Sequence, residues 1–335
     1  MTHAVVTPTS RFDILGIGNA IVDVVAPVPE AFITRHGLAR GTMTLIDAAR
    51  ADALYAAMPP GQESSGGSAA NTCAVAAALG ARVAYIGRVA DDQLGAVFRH
   101  DIAAIGVHFP TPPLVGGAPT ARCLIQVTPD GQRTMNTFLG ACVAFGPEEV
   151  DTALVADSAV LYLEGFLFDP PAAQEAFRVA ARAAREAGRQ VALSLSDPFC
   201  VGRHRAAFLE LVSGYVDILF ANEVEATSLY QTNSIEEALD RARADVALVV
   251  VTRGEQGSVV ARGGRTVIVA AEPTVVVDTT GAGDAYAAGF LAALTAGADL
   301  PECGRLGSVA AADVISHYGA RPLRDLSGER VRAAT

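Results

Sequence analysis

The stretch Asp278-Thr279-Thr280-Gly281-Ala282-Gly283-Asp284 sets two carboxylates and two hydroxyls around three small residues. Small residues at 281–283 let backbone N–H groups approach a ligand closely. The apolar run 285–296, with Gly297 as its stop, predicts a helix that opens at this point. A helix start adds unpaired N–H donors and a positive dipole end. The product is an anion hole with the Asp284 carboxylate beside it. Such a carboxylate can take a proton from a hydroxyl while that hydroxyl attacks a phosphoryl group. For GxGD alone, a Gly-rich turn with Asp284 as a helix-start residue is the plainer alternative. Asp278 and Thr280 ahead of it favour chemistry. Val275, Val276 and Val277 read as the buried strand that leads in.

Other groupings offer binding chemistry. Asn19 and Asp23 lie four apart, and positions four apart share one face of an extended chain. They suit paired hydrogen bonds to vicinal hydroxyls, or are a turn residue and a solvated acid. Gly66-Gly67-Ser68-Ala69-Ala70-Asn71 is a second close-approach loop entering a helix, with Ser68 as its cap. Asn222-Glu223-Val224-Glu225 puts an amide and a carboxylate at one helix start. There they complete a capping box or orient water on a hard cation. Thr252-Arg253-Gly254 closes an apolar strand, with Arg253 either a phosphate clamp or a surface residue. Arg133, beside Pro129-Asp130-Gly131, is a surface arginine or a cation that swings over a transferred phosphate. Gln126, a polar residue in the same region, favours a polyol over a purine. The six histidines show no ligand spacing.

Composition narrows the chemistry. The chain has 335 residues, 51% hydrophobic and 18% charged, enough for a large core. All 25 basic residues are arginine. A P-loop, a protein-kinase strand lysine and a Schiff-base lysine are therefore excluded. Phosphate must be held by backbone N–H groups, arginine or a metal. A net charge of −11 without a basic block argues against nucleic-acid partners. Five cysteines, at 73, 123, 142, 200 and 303, form no CxxC pair, and a reducing cytoplasm is expected. The apolar run 246–251 is too short to span a bilayer, so no membrane association is expected. Residues 1–10 lack an apolar signal core and read as a frayed tail.

The elements that must position these groups alternate. Strands are expected at 12–18, 21–26, 42–46, 83–87, 159–163, 191–195, 218–221 and 246–252. Helices are expected at 47–58, 69–79, 92–106, 171–188, 205–213, 223–230 and 234–244, with 61–68 a Gly/Ser break. Alternating stretches 121–128 and 132–138 flank Asp130-Gly131, a hairpin signal, and 258–261 with 266–270 is a second hairpin. The pattern predicts an α/β fold with a parallel sheet covered by helices.

The 278–284 string resembles the signature of the ribokinase-like (PfkB) family of sugar and nucleoside kinases, and the likeness runs from Phe12 to Pro322. It implies a core of 12–18, 47–106 and 141–335 with a small β lid from 19–46 and 107–140. It implies Asp284 as catalytic base, with Gly281, Ala282 and Gly283 holding the transferring phosphate. Gly16-Ile17-Gly18-Asn19 with Asp23, Leu193-Ser194-Leu195-Ser196-Asp197-Pro198-Phe199, Gly165-Phe166-Leu167 and 215–223 are similar to the adenosine-kinase branch. Thr280, Tyr286 and Gln126 depart from it. The likeness implies a ribose grip by Asn19 and Asp23, and substrate contacts from Gly66, Gly67, Ser68 and Asn71. It implies that Asn222, Thr252, Arg253, Gly254, Thr279 and His317 border ATP, that Glu225 organises Mg2+ through water, and that Arg133 assists from the lid. Asp278 and Thr280 fall where relatives place part of a K+ loop. The expected reaction is ATP-dependent phosphorylation of a primary hydroxyl, with adenosine as acceptor. A sugar kinase on the same fold and a nucleoside-binding protein without turnover are the alternatives. The protein is expected as a monomer or a homodimer.

Overall fold

A computed structural model describes residues 10–333, with side chains described to residue 330. All but the last residue of the expected tail, 1–10, lies outside them. The strands are β1 Phe12–Ile17, β2 Ile21–Pro27, β3 Met43–Leu45, β4 Gln62–Gly66, β5 Val83–Ile86, β6 Val107–His108 and β7 Ala121–Val127. They continue with β8 Arg133–Phe138, β9 Ser158–Glu164, β10 Gln190–Ser194, β11 Ile218–Asn222, β12 Leu248–Thr252, β13 Ser258–Arg262 and β14 Arg265–Val269.

Nine strands form one sheet in the order β14-β13-β12-β11-β10-β9-β1-β5-β6. Its middle is parallel, and β13 and β14 add an antiparallel edge hairpin. β1 is buried along its whole length, as a strand covered on both faces must be. One face packs on the helices Ser68–Ala78, Ala282–Thr295 and Leu300–Ile315. The other packs on Pro171–Glu186 and Pro198–Tyr215. In Pro171–Glu186 the residues Ala173, Ala176, Phe177, Ala180, Ala181 and Ala184 are buried, a helical stripe of small groups that brings helix and sheet close.

The second sheet has five strands in the order β3-β8-β7-β2-β4. β7 and β8 form the expected hairpin, and Gly131 takes the left-handed φ of 82° its turn requires. β2 pairs with β7 in parallel and with β4 antiparallel, so Asp23 stands between Cys123 and Ser64.

Three expectations need correction. Residues 62–66 are not part of a Gly/Ser break but strand β4, an element of the small sheet. Gln-Glu-Ser-Ser-Gly carries no β-branched residue, and the strand exists because β2 offers an edge. Val275, Val276 and Val277 are not a buried strand. They are 79%, 58% and 43% exposed in an extended segment whose end is tied to the Leu300–Ile315 helix through Val277 N–H and the Ile315 carbonyl. The helix expected at 205–213 begins at Pro198, capped by the Asp197 carboxylate on the Cys200 N–H.

Candidate active site

The carboxyl ends of β1, β9, β10, β11 and β12 open into one cleft of about 910 Å3, where an open α/β sheet is expected to bind ligands. Asn19, Glu164, Ser194, Asn222 and Thr252 come from those ends. The small sheet forms the opposite wall.

Gly281 caps the Ala282–Thr295 helix with φ 77°, and a Cβ there would meet the Ala320 Cβ at 2.6 Å. Only glycine fits this turn. The start of this long helix therefore lies on the cleft, with Thr279, Thr280, Gly281, Ala282, Gly283 and Asp284 all on its wall, and the Ala282 N–H donates to the Thr279 carbonyl at 3.2 Å. Asp284 lies in the first turn. Its Oδ1 accepts from Ser68 Oγ at 2.6 Å and its Oδ2 from Asn71 Nδ2 at 3.3 Å. Burial pushes its carboxyl up to about 6, against those two hydrogen bonds and the nearby Arg321 charge. A base of this kind is ionised at neutral pH yet basic enough to accept a proton.

Ser68 and Asn71 reach Asp284 because strand β4 runs straight into their helix through Gly67. Gly67 has φ 99°, and a Cβ there would sit 2.0 Å from the Asn19 carbonyl oxygen. Gly66 sits against the Asp23 carboxylate, 2.4 Å from where its own Cβ would stand. The double glycine thus lets Asn19, Asp23, Ser68 and Asn71 converge. Asn19 donates from Nδ2 to Glu164 Oε1 at 2.8 Å, which leaves its Oδ1 as an acceptor. No side-chain hydrogen bond engages Asp23 among the described residues, and burial lifts its carboxyl to about 6. Asn19 and Asp23 together offer acceptors to hydroxyl donors.

Asn222 and Glu225 complete a reciprocal capping box: Glu225 N–H donates to Asn222 Oδ1 and Asn222 N–H to Glu225 Oε2. Asn222 Nδ2 also donates to Glu225 Oε1 at 2.7 Å. The capping alternative is therefore realised, while both residues still line the cleft. Burial raises Glu225 to about 7. No group of three His, Cys, Asp or Glu suits a metal among the described residues.

Several expected site residues lie elsewhere. Gln126 is fully buried behind the lid, where it accepts from Asn136 Nδ2 at 2.9 Å and donates to Met58 Sδ. Strand alternation explains this: Cys123 and Ile125 face the cleft, so Gln126 faces away. Arg133 does not line the cleft. It is buried, sits 2.9 Å from Asp278 Oδ2 at an angle that makes an ion pair without a hydrogen bond, and stacks over Tyr318. Asp278 is thereby filled, since its Oδ1 accepts from Thr280 N–H and Oγ1 and its Oδ2 from Gly319 N–H. Both oxygens of that carboxylate are engaged within the chain, and Thr280 alone of the pair borders the cleft. Arg253 pairs with Glu223 at 2.7 Å, and it, Gly254 and Gly66 are off the cleft wall. His317 is also off the wall, with Nδ1 3.1 Å from the Tyr318 carbonyl and Nε2 buried and unpartnered.

Two residues were not anticipated. Glu164 is fully buried on the cleft wall, accepts from Asn19 and from Ala69 N–H at 2.7 Å, and is raised to about 7 by burial. A lone acid after an apolar strand was its only signal. Arg321 stands behind Asn71 and had no signal beyond being a cation near the end of the chain.

The opposite wall is different in kind. Ile21, Met43, Leu45, Cys123, Ile125 and Met135 of the small sheet face the cleft, across from Phe166, Phe199 and Phe220. No helix is long and apolar enough to cross a membrane among the described residues.

Comparison with known proteins agrees with this geometry. Residues 43–325 match the model of the pfkB family carbohydrate kinases. The crystal structure of an adenosine kinase from Sinorhizobium meliloti is 53% identical, covering 97% of this chain and 100% of that one, with a TM-score of 0.89. A probable sugar kinase from Rhizobium etli CFN 42 is 50% identical, covering 97% and 99%, also with a TM-score of 0.89. The adenosine kinase of Saccharomyces cerevisiae is 29% identical over 328 residues, 90% of this chain and 94% of that one. The ribokinase-like core with its helix-borne Asp284 and the family match lead to one conclusion: the chain belongs to the pfkB family of carbohydrate kinases and is an ATP-dependent kinase with an alcohol group as acceptor.

Proposed function

We propose that the enzyme is an adenosine kinase, transferring the γ-phosphoryl group of ATP to the 5′-hydroxyl of adenosine. The observation that carries this reading is the apolar lid wall set over a polar sugar grip. Met43 and Leu45 are 50% and 56% exposed on that wall, and Phe199 is 75% exposed across from it. A purine laid between them would cover this surface, whereas a free sugar would leave it wet. Gln126, the residue that favoured a polyol, is turned away from the substrate. The adenosine kinases among the relatives add support.

Asp284 takes the 5′-hydroxyl proton as the oxygen attacks, while Ser68 and Asn71 hold its carboxylate in place. Asn19 and Asp23 accept from the ribose hydroxyls. The N–H groups of Gly281 and Gly283 receive the charge that develops on the phosphoryl oxygens. Glu225 and Asn222, both on the cleft wall, would hold the waters of a nucleotide-bound Mg2+. When bound, it neutralises phosphate charge. Descent of the lid excludes water from the transfer.

The test is ADP release from Mg-ATP with adenosine, inosine, ribose, fructose and 2-keto-3-deoxygluconate as acceptors. Turnover confined to adenosine supports the proposal. Turnover on a sugar instead makes the enzyme a sugar kinase, and adenosine binding by calorimetry without turnover on any acceptor supports a nucleoside-binding protein.

A further inference from the structure

Arg321 lies on the segment after the Leu300–Ile315 helix, far in sequence from every motif described above. Its Nε donates to Asn71 Oδ1 at 3.0 Å, and its Nη2 donates to the Ser65 carbonyl at 2.6 Å and to Ser65 Oγ at 3.0 Å. Ser65 in turn donates its N–H to Asp101 Oδ2 at 2.8 Å, which anchors the far end. Guanidinium has donors only. The amide oxygen of Asn71 must therefore face Arg321, and its NH2 must face Asp284. Arg321 and the Asp284 carboxylate thus fix the Asn71 amide from its two ends, one supplying only donors and the other only acceptors. The Arg321 Nη1 is buried and unpartnered, so the side chain is retained there at a cost.

We infer that Arg321 is a positioning residue for phosphoryl transfer: through Asn71 it aims an N–H at the Asp284 carboxylate. The inference rests on the reading of Asp284 as base. Arginine stays charged at every working pH, so its effect does not titrate. The groups that face Asp284 are Asp23 from β2, Tyr162 and Glu164 from β9, Glu225 from the Glu223–Tyr230 helix, and Arg321. Arg321 is the one cation among them that acts on Asp284, and burial works against it. It also opposes the effect of burial on Asp23. The Asp284 charge also raises Asp23, as the smallest of the causes acting on it.

The experiment compares the pH dependence of kcat at saturating adenosine and ATP for wild type, Arg321→Gln, Arg321→Lys and Asp284→Asn. At saturation the substrate already engages Asp23, so the acidic limb reports the base. Removing a nearby positive charge raises a carboxyl's pKa, so the limb in Arg321→Gln moves upward by about half a unit or more. Its turnover is lowest near pH 6 and recovers toward pH 8.5. Arg321→Lys keeps the charge, and its limb stays near wild type while kcat falls. A merely structural role lowers kcat at all pH values alike. An unmoved limb in folded Arg321→Gln overturns the inference, and so does a limb in Arg321→Lys that moves as far as in Arg321→Gln. If Arg321→Gln does not fold, Arg321→Met carries the same comparison. Asp284→Asn separates the two readings: full turnover there removes the base and this inference with it. Loss of turnover there beside an unmoved Arg321→Gln limb removes Arg321 alone.

Discussion

The two walls of the cleft obey different rules. The core wall gathers Asp284, Ser68, Asn71, Asn19 and Glu164, each held by a named partner. The lid wall presents Ile21, Met43, Ile125 and Met135, held only by the alternation of their strands. The first wall needs fixed orientation, because proton transfer depends on distances of a few tenths of an ångström. The second needs only shape and dryness. On the proposed function the core wall would carry the reaction and the apolar wall the acceptor selectivity, so a substitution on one of these walls should leave the other's parameter alone.

The largest expected effect is on the core wall. Asp284→Asn should lower kcat by about 10²–10⁴-fold with little change in KM for the acceptor, measured by steady-state ADP release. Near-normal kcat would break the division. On the lid wall, Met135→Ser removes apolar contact worth about 1–2 kcal/mol, so KM for adenosine should rise about tenfold while kcat holds. A kcat effect as large as the KM effect would show that the lid takes part in the chemistry. Gln126→Leu lies behind that wall. It should leave KM unchanged yet cost about 1–3 kcal/mol of stability in urea unfolding, because Asn136 loses its partner.

The smallest effect concerns the acid cluster as a whole. Asp23 and Asp284 are lifted to about 6, and Glu164 and Glu225 to about 7, each first by burial. Between pH 4 and pH 7 the folded protein thus holds protons that the unfolded chain has lost. Stability falls as pH rises through that window. The ligand-free enzyme should therefore melt a few degrees higher at pH 5.5 than at pH 8 in a thermal scan. Asp13, Asp92 and Asp130 are shifted the other way and act below this window. A Tm that does not fall from pH 5.5 to 8 would show that these carboxylates are ionised in the folded state across that range.

Much of the core wall was legible from local patterns. The 278–284 string, the 66–71 loop and the strand ends are runs of neighbours, and Gly281 and Gly67 are glycines for reasons of backbone shape. The misreadings all turn on what touches what across the chain. Gln126 is polar and in the right hairpin, but one step of strand parity sends it to the far side. Val275, Val276 and Val277 have strand propensity and no strand to pair with among the described residues. β4 has a pairing partner and no propensity. Arg133 was expected over phosphate and is found on Asp278, 145 positions away. Arg321 meets Asn71 across 250 positions, a separation that no motif spans.

A single residue, Gly67, stands between the last residue of β4 and Ser68, which holds the Asp284 carboxylate. The β4 edge and Asp284 are therefore linked through one residue of chain, and the apolar face of β2, β3, β7 and β8 lies outside that link. A substitution that shifts β4 should lower kcat, whereas one on the apolar face should not.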